Sequence, residues 1–116
     1  MNKMNKYNAR KTVVDGIKFD SKMESQMYQQ LKVLEKAGVI KNLKLQPEIT
    51  LQPAFEDYTG KKTRAIKYRA DFSFYDNDLD RFRVVDCKGY KTAVYKLKKK
   101  MFDYVHRNEI HLEEMI

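Results

Sequence analysis

Asp86 and Lys88 end a short branched run, Arg83-Val84-Val85-Asp86-Cys87-Lys88, which Gly89 closes. Such a run predicts a strand over 81–88. Strand side chains alternate faces, so Asp86 and Lys88 share a side, roughly 6.6 Å apart, while Cys87 points away. A second carboxylate, Asp71, falls in the stretch before it, and a third, Glu24, falls at the start of an early helix. Three acids and one amine at element boundaries suit phosphodiester hydrolysis. That reaction needs an ion on the scissile phosphate, an activated water and neutralisation of charge in the transition state. Oxygen donors favour Mg²⁺ or Mn²⁺, and magnesium takes one or two carboxylates while keeping several waters. Asp71 and Asp86 are the expected ligands, with the Cys87 carbonyl as a third and Glu24 binding directly or through water. Lys88 would orient the water or stabilise developing charge. A plainer alternative treats Asp86 and Lys88 as an ion pair on a wet strand face.

The elements that must position these groups are legible in turn. Thr12 to Phe19 reads as a hairpin about Asp15-Gly16. Ser21-Lys22-Met23-Glu24 matches a capping box, which starts a helix running to about Ala37 before Gly38. Its expected buried stripe is Met23, Met27, Leu31, Leu34 and Ala37. Glu24 thus has a second job open to it, returning a hydrogen bond to the Ser21 amide. From Leu43 to Phe55 apolar residues fall on odd positions, predicting strand, with Pro47 and Pro53 marking an edge, bulge or break. A further strand covers 63–75, with Ala70, Phe72 and Phe74 on one face and Arg69, Asp71, Ser73 and Tyr75 on the other. Asp76-Asn77-Asp78 turns it back into 81–88 as a hairpin with solvated acids. The calcium-loop glycine and terminal glutamate are missing. Neighbouring strands of this kind pair, which brings Asp71 near Asp86 if the register is right; a one-residue slip separates them. Thr92 caps a second helix to about Arg107, with Val94, Leu97, Met101, Tyr104 and Val105 expected inward and Phe102 alongside them. A final strand over 110–113 closes the sheet.

Size and charge narrow the classes. At 116 residues the chain is one domain, 12–116, preceded by a basic flexible arm, 1–11. With 24 Lys and Arg against 16 Asp and Glu, the net charge of +8 points to a polyanion, most simply a nucleic acid. Lys61, Lys62, Arg64, Lys91, Lys99 and Lys100 are the expected phosphate contacts. A single cysteine excludes a disulfide framework and a thiolate metal site. Without a signal peptide or an apolar run long enough to span a bilayer, the expected location is the cytoplasm and no membrane is expected as partner.

The order Phe19-Asp20-Ser21-Lys22-Met23-Glu24, then Tyr68-Arg69-Ala70-Asp71, then Asp86-Cys87-Lys88-Gly89, resembles the PD-(D/E)XK nuclease superfamily. Over about residues 7–116 it is similar to small phage proteins grouped near phage endonuclease I and the Holliday-junction resolvases. The resemblance implies an α/β, restriction-endonuclease-like core in the order α-β-β-β-α-β, a central mixed sheet flanked by helices. It also implies Mg²⁺-dependent DNA cleavage in recombination or DNA processing, branched DNA as substrate and often a homodimer. If phage-encoded, the chain would work in the bacterial host cytoplasm. Asp71 matches the acid of the first half-motif, Asp86 and Lys88 the acid and lysine of the second, and Glu24 the helix glutamate of the resolvase-like branch. Ala70 stands where the family's name-giving proline would be. The superfamily also contains inactive members, so a non-catalytic DNA-binding protein on the same fold is the alternative.

Overall fold

The structure, a computed structural model, describes residues 11–87 and 90–115. The first hairpin forms as its turn chemistry dictates. Strands β1 (Thr12–Val14) and β2 (Ile17–Phe19) pair antiparallel, with Asp15 at φ 52° and Gly16 at φ 75°. Two consecutive left-handed residues match the twist of the flanking strands, which is why Asp-Gly serves here. Helix α1 (Lys22–Lys36) follows, and Ser21 Oγ accepts the Glu24 amide at 3.1 Å as its N-cap.

The remaining elements are β3 (Ile40–Leu45), β4 (Glu48–Gln52), β5 (Phe55–Glu56), β6 (Lys62–Thr63), β7 (Ile66–Arg69), β8 (Phe72–Asp76), β9 (Arg81–Cys87), α2 (Ala93–Val105) and β10 (Leu112–Met115). The central sheet runs β10-β9-β8-β3. β3, β8 and β9 pair antiparallel, whereas β10 lies parallel to β9 and is reached through α2. Parallel neighbours need such a crossover, since no tight turn can join them. The core order α1-β3-β8-β9-α2-β10 is the expected α-β-β-β-α-β, a mixed sheet with a helix on each face. One core, under α1, gathers Phe19, Tyr28, Leu31, Ile40, Phe72, Phe74, Val85 and Cys87. The other, under α2, gathers Leu51, Tyr68, Ala70, Val84, Tyr95, Phe102 and Leu112.

Both long strands expected from alternation are in fact broken. The stretch 43–55 divides into β3, β4 and β5, and 63–75 into β6, β7 and β8. Gln46 takes φ 51° just before Pro47, which no continuous strand accommodates. The two breaks face each other: the Gln46 amide donates to the Asp71 carbonyl at 2.8 Å, and the Ala70 amide to the Pro47 carbonyl at 3.1 Å. A long antiparallel ribbon therefore kinks beside Asp71, and its outer half, β4 with β7, leaves the sheet. The last strand also begins two residues later than expected, at Leu112.

Helix α2 is turned over relative to its predicted stripe. Val94, Leu97 and Tyr104 are 62%, 59% and 66% exposed, and Val105 is also exposed, whereas Tyr95 and Phe102 are buried. Aromatic side chains bury more apolar area than valine or leucine, so Tyr95 and Phe102 decide which way the helix faces. Phe102 meets Tyr68 edge-on and lies tilted against the His106 ring, 4.8 Å between centres. Between them the Lys98 stem crosses the surface to donate to the Lys67 carbonyl at 2.9 Å. On α1 the expected stripe is rotated by a smaller amount. Ser25, Tyr28 and Leu31 are buried, with Met23 and Met27 packed beside them, while Leu34 and Ala37 are exposed. Ser25 is tolerated inside because its hydroxyl donates to the Lys22 carbonyl, and Tyr28 donates to Asp15 Oδ2.

Asp76 is not a solvated turn acid. It is 6% exposed, accepts the Asp78 and Leu79 amides, and faces Arg83 at 3.1 Å. Those bonds, the Leu79 amide first, hold its carboxyl below its ordinary range. Arg83 is also forked onto Glu113 through Nε and Nη2, at 2.9 and 2.5 Å. This tie joins the β8–β9 turn to β10, and its hydrogen bonds to Glu113 above all raise the guanidinium pKa.

Candidate active site

The register of β8 on β9 decides what Asp71 meets. Phe72 pairs with Val85, so the preceding residue of one strand sits opposite the following residue of the other, Asp71 opposite Asp86. Each acid accepts a backbone amide from the facing strand. The Asp71 amide donates to Asp86 Oδ1 at 2.8 Å, and the Cys87 amide donates to Asp71 Oδ2 at 2.7 Å. Asp86 is 0% exposed, while Asp71 lies at the ribbon kink and is half-buried. A carboxylate has about four lone-pair positions, and each of these amide bonds occupies one of them.

Glu24 reaches the same place from the other direction. It sits in the first turn of α1, and its side chain lines a cleft of about 130 Å³ together with Asp71, Gln46, Lys18, Ile17, Phe19, Leu45 and Phe72. The structure thus brings Glu24 and Asp71 into one cleft and Asp71 and Asp86 into one hydrogen-bonded pair. Among the described residues, no group of three or more His, Cys, Asp and Glu converges as a cage for an ion. Lys88 lies outside the described residues, as do positions 1–10 of the basic arm. Cys87 ends β9, and its side chain belongs to the core under α1.

Two participants were not evident from the sequence. Gln46 and Lys18 line the cleft because of the positive-φ break at Gln46 and the β1–β2 hairpin. The proline after Gln46 was the one signal available for the first; nothing local marks the second. Behind Asp86, Glu114 of β10 is its parallel-strand neighbour in register. Tyr95 donates its hydroxyl to Glu114 Oε2 at 2.6 Å, and Lys91 reaches Oε1 at 3.2 Å. Burial first, then the Glu114 bond and the nearby Asp86 charge, push the Tyr95 phenol pKa far up. The Tyr95 bond in turn holds Glu114 below the usual carboxylate range. A neutral phenol beside an acid fixes the α2 end of the sheet next to Asp86.

Of the expected phosphate contacts, Lys61, Lys62 and Arg64 are exposed around the β5–β6 ribbon, and Lys100 is exposed on α2. Lys91 and Lys99 are engaged internally, with Glu114 and with Asp103 at 2.7 Å.

A model for a family described as "Protein of unknown function (DUF1064)" matches residues 4–115. The chain belongs to this family. No curated protein and no solved structure matches it. What the DUF1064 chain displays is a nuclease-like scaffold: a mixed sheet between two helices, with an acid pair where the second and third core strands meet. No helix among its described residues is long and apolar enough to cross a membrane.

Proposed function

We propose that this DUF1064 protein is a metal-dependent DNA endonuclease, with branched DNA such as a four-way junction as its favoured substrate. The observation that carries the reading is the pairing of Asp71 with Asp86 across β8 and β9, beside the cleft that Glu24 enters. Of the possible registers, only this one sets the two acids of the motif against each other. The donors are hard oxygens, the chemistry Mg²⁺ or Mn²⁺ prefers, and a magnesium site needs no cage of three acids because waters complete it. Asp71 and Asp86 would hold the ion, with Glu24 and the Cys87 carbonyl contributing directly or through water. Bound there, the ion would supply charge neutralisation at the phosphate and a more acidic water.

The protein's own groups do the rest. The amides of Asp71 and Cys87 would hold the two carboxylates in place, so that little reorganisation is required as charge develops. Glu24, which lines the cleft, would accept a proton from a water there. Lys88, two residues beyond Asp86, would face the phosphate and offset charge as water attacks phosphorus and the ester oxygen leaves. Lys61, Lys62, Arg64 and Lys100 would grip the backbone. Such contacts position DNA without reading its sequence, which suits recognition by shape.

The test is cleavage of labelled duplex, flap, single-stranded and four-way-junction DNA by wild type and Asp86→Asn, in Mg²⁺, Mn²⁺ or EDTA. Metal-dependent paired nicks in the junction, absent in the variant, are expected. Tight, salt-sensitive binding with no cutting in either metal would overturn the enzyme reading. It would leave a DNA-binding module whose acid pair serves as a clamp between strands.

A further inference from the structure

The ribbon that leaves the sheet at the Asp71 kink has two unlike sides. Its outgoing side, β4 and β5, carries Glu48 and Glu56 and is followed by Asp57. Its returning side, from the tip through β6 and β7 to the kink, carries Lys61, Lys62, Arg64, Lys67 and Arg69, all exposed, and no acid. Glu48 and Glu56 sit opposite Arg69 and Lys62 in register, and Thr50 opposite Lys67. The tip between the two sides is tightly bonded. Asp57 accepts the Thr59 hydroxyl, the Thr59 amide at 2.8 Å and the Lys61 amide at 3.0 Å, and its own amide donates to the Lys61 carbonyl at 2.9 Å. Those bonds, the Thr59 hydroxyl first, hold the Asp57 carboxyl below its ordinary range, so this acid is engaged within the loop. Gly60, at φ 85°, supplies the left-handed residue that the turn needs. On this stiff tip Tyr58 is fully exposed and buries none of its ring in the fold, with Phe55 of β5, also exposed, below it.

We infer that Tyr58 is a stacking platform for an unpaired base of single-stranded DNA, whose backbone follows the cations of the returning side. The inference rests on the reading of DNA as substrate and adds the residue that meets a strand outside its duplex. A base within a duplex is already stacked on both sides, whereas an unpaired base offers a free π-face to an aromatic ring, whatever its sequence. The site therefore separates unpaired from paired DNA, which phosphate contacts alone do not. Because the tip is fixed by its own hydrogen bonds, little ordering remains to oppose binding. Eleven positions separate Tyr58 from Arg69 at the kink (69 less 58), at most roughly 36 Å of strand. At about 3.4 Å per nucleotide of a duplex strand, the base on Tyr58 lies up to about ten nucleotides from the acid pair. It belongs to a flanking single-stranded arm, and the chemical step is left to the cleft. A protein partner is the poorer occupant, because lysine is depleted at protein interfaces and Tyr58 is followed closely by Lys61 and Lys62. A membrane surface calls for a wider apolar face than one ring at a loop tip.

Fluorescence anisotropy in EDTA tests this without any cutting, with the full chain titrated into labelled oligothymidylate and into an abasic chain of the same length and phosphates. Tyr58→Ala should weaken oligothymidylate binding by roughly fivefold to hundredfold, the usual cost of losing one stacked ring, and leave the abasic chain unaffected. Tyr58→Phe, which keeps the ring, should bind like wild type. Since Tyr58 is fully exposed, the thermal midpoint should hold in both variants. Arg64→Ala should instead weaken both chains alike and lower the salt slope by about 0.7. Oligothymidylate binding that ignores Tyr58→Ala, or an equal loss on the abasic chain, overturns the inference. So does a wild type that holds oligouridylate more tightly, which would make the ligand RNA. A protein that binds duplex and junction but not oligothymidylate overturns it while leaving the nuclease reading standing. Single-strand binding through Tyr58 in a protein that cuts nothing supports it and removes only the catalytic claim.

Discussion

Replacing Asp86 with asparagine separates the role of its shape from the role of its charge. The amide oxygen of the new side chain can still accept the Asp71 amide, which now reaches Asp86 Oδ1 at 2.8 Å. What changes is the charge. A hydrogen bond to an ionised acceptor is worth about 1 kcal/mol more than one to a neutral acceptor, so that much is lost. Against it stands relief of repulsion from Asp71. Two unit charges ~5 Å apart interact by about 3 kcal/mol at an effective dielectric near 20, and the other charges of the site offset part of that. Without divalent ions the relief of repulsion equals or exceeds the lost bond, so Asp86→Asn should unfold in urea between level with wild type and about 2 kcal/mol more stable. Asp86→Ala behaves differently, because it strands the Asp71 amide at a half-buried position and should cost about 1–3 kcal/mol. With Mg²⁺ at a hundredfold excess over its Kd, wild type should gain about 2.7 kcal/mol. For a chain of this length that raises the midpoint by roughly 10 °C. Asp86→Asn should gain little. Equal gains in the two proteins would refute Asp86 as a ligand, whatever the cleavage assay shows. A loss well above 1 kcal/mol in Asp86→Asn without metal would show that the ionised pair is held for the fold.

Three further outcomes follow from the same contacts. Phe102→Ala should cost about 3–5 kcal/mol in urea unfolding, the usual cost of emptying a buried aromatic site, while Leu97→Ala should stay within about 0.5 kcal/mol in dilute protein. The reverse order would restore the stripe expected from sequence. Arg83→Met should destabilise by about 2 kcal/mol, since it leaves Asp76 and Glu113 facing each other's side of β9 with no cation between them. Glu114 has a folded pKa below its ordinary 4.5, so its contribution is present above pH 4.5 and lost as pH falls through the depressed value. Acid titration of stability should therefore show a shallower fall in Tyr95→Phe, which removes the main cause of that depression; an unchanged slope would refute the Tyr95–Glu114 bond.

Local chemistry determined a good deal of this molecule. Asp15-Gly16 can make few other turns, Ser21 can hardly do other than cap α1, and the alternation of Ala70, Phe72 and Phe74 assigns them to a buried side. The order of acids along the chain and the α-β-β-β-α-β succession were legible for the same reason: each depends on residues a few positions apart. What sequence left open was every quantity set by distant partners. The pairing of Asp71 with Asp86 required the register of β8 on β9, which no residue of either strand specifies alone. The kink that puts Gln46 into the cleft required two breaks, 25 positions apart in sequence (71 less 46), to bond to each other. Asp76 became a buried anchor because Arg83 and the Leu79 amide came to it. The facing of α2 was undetermined because its sequence carries two apolar arcs, one aromatic and one aliphatic, and a helix can bury either. The sheet beneath, with Tyr68, Val84 and Leu112 already in place, had room for Tyr95 and Phe102, and burying the larger rings removes more apolar surface from water.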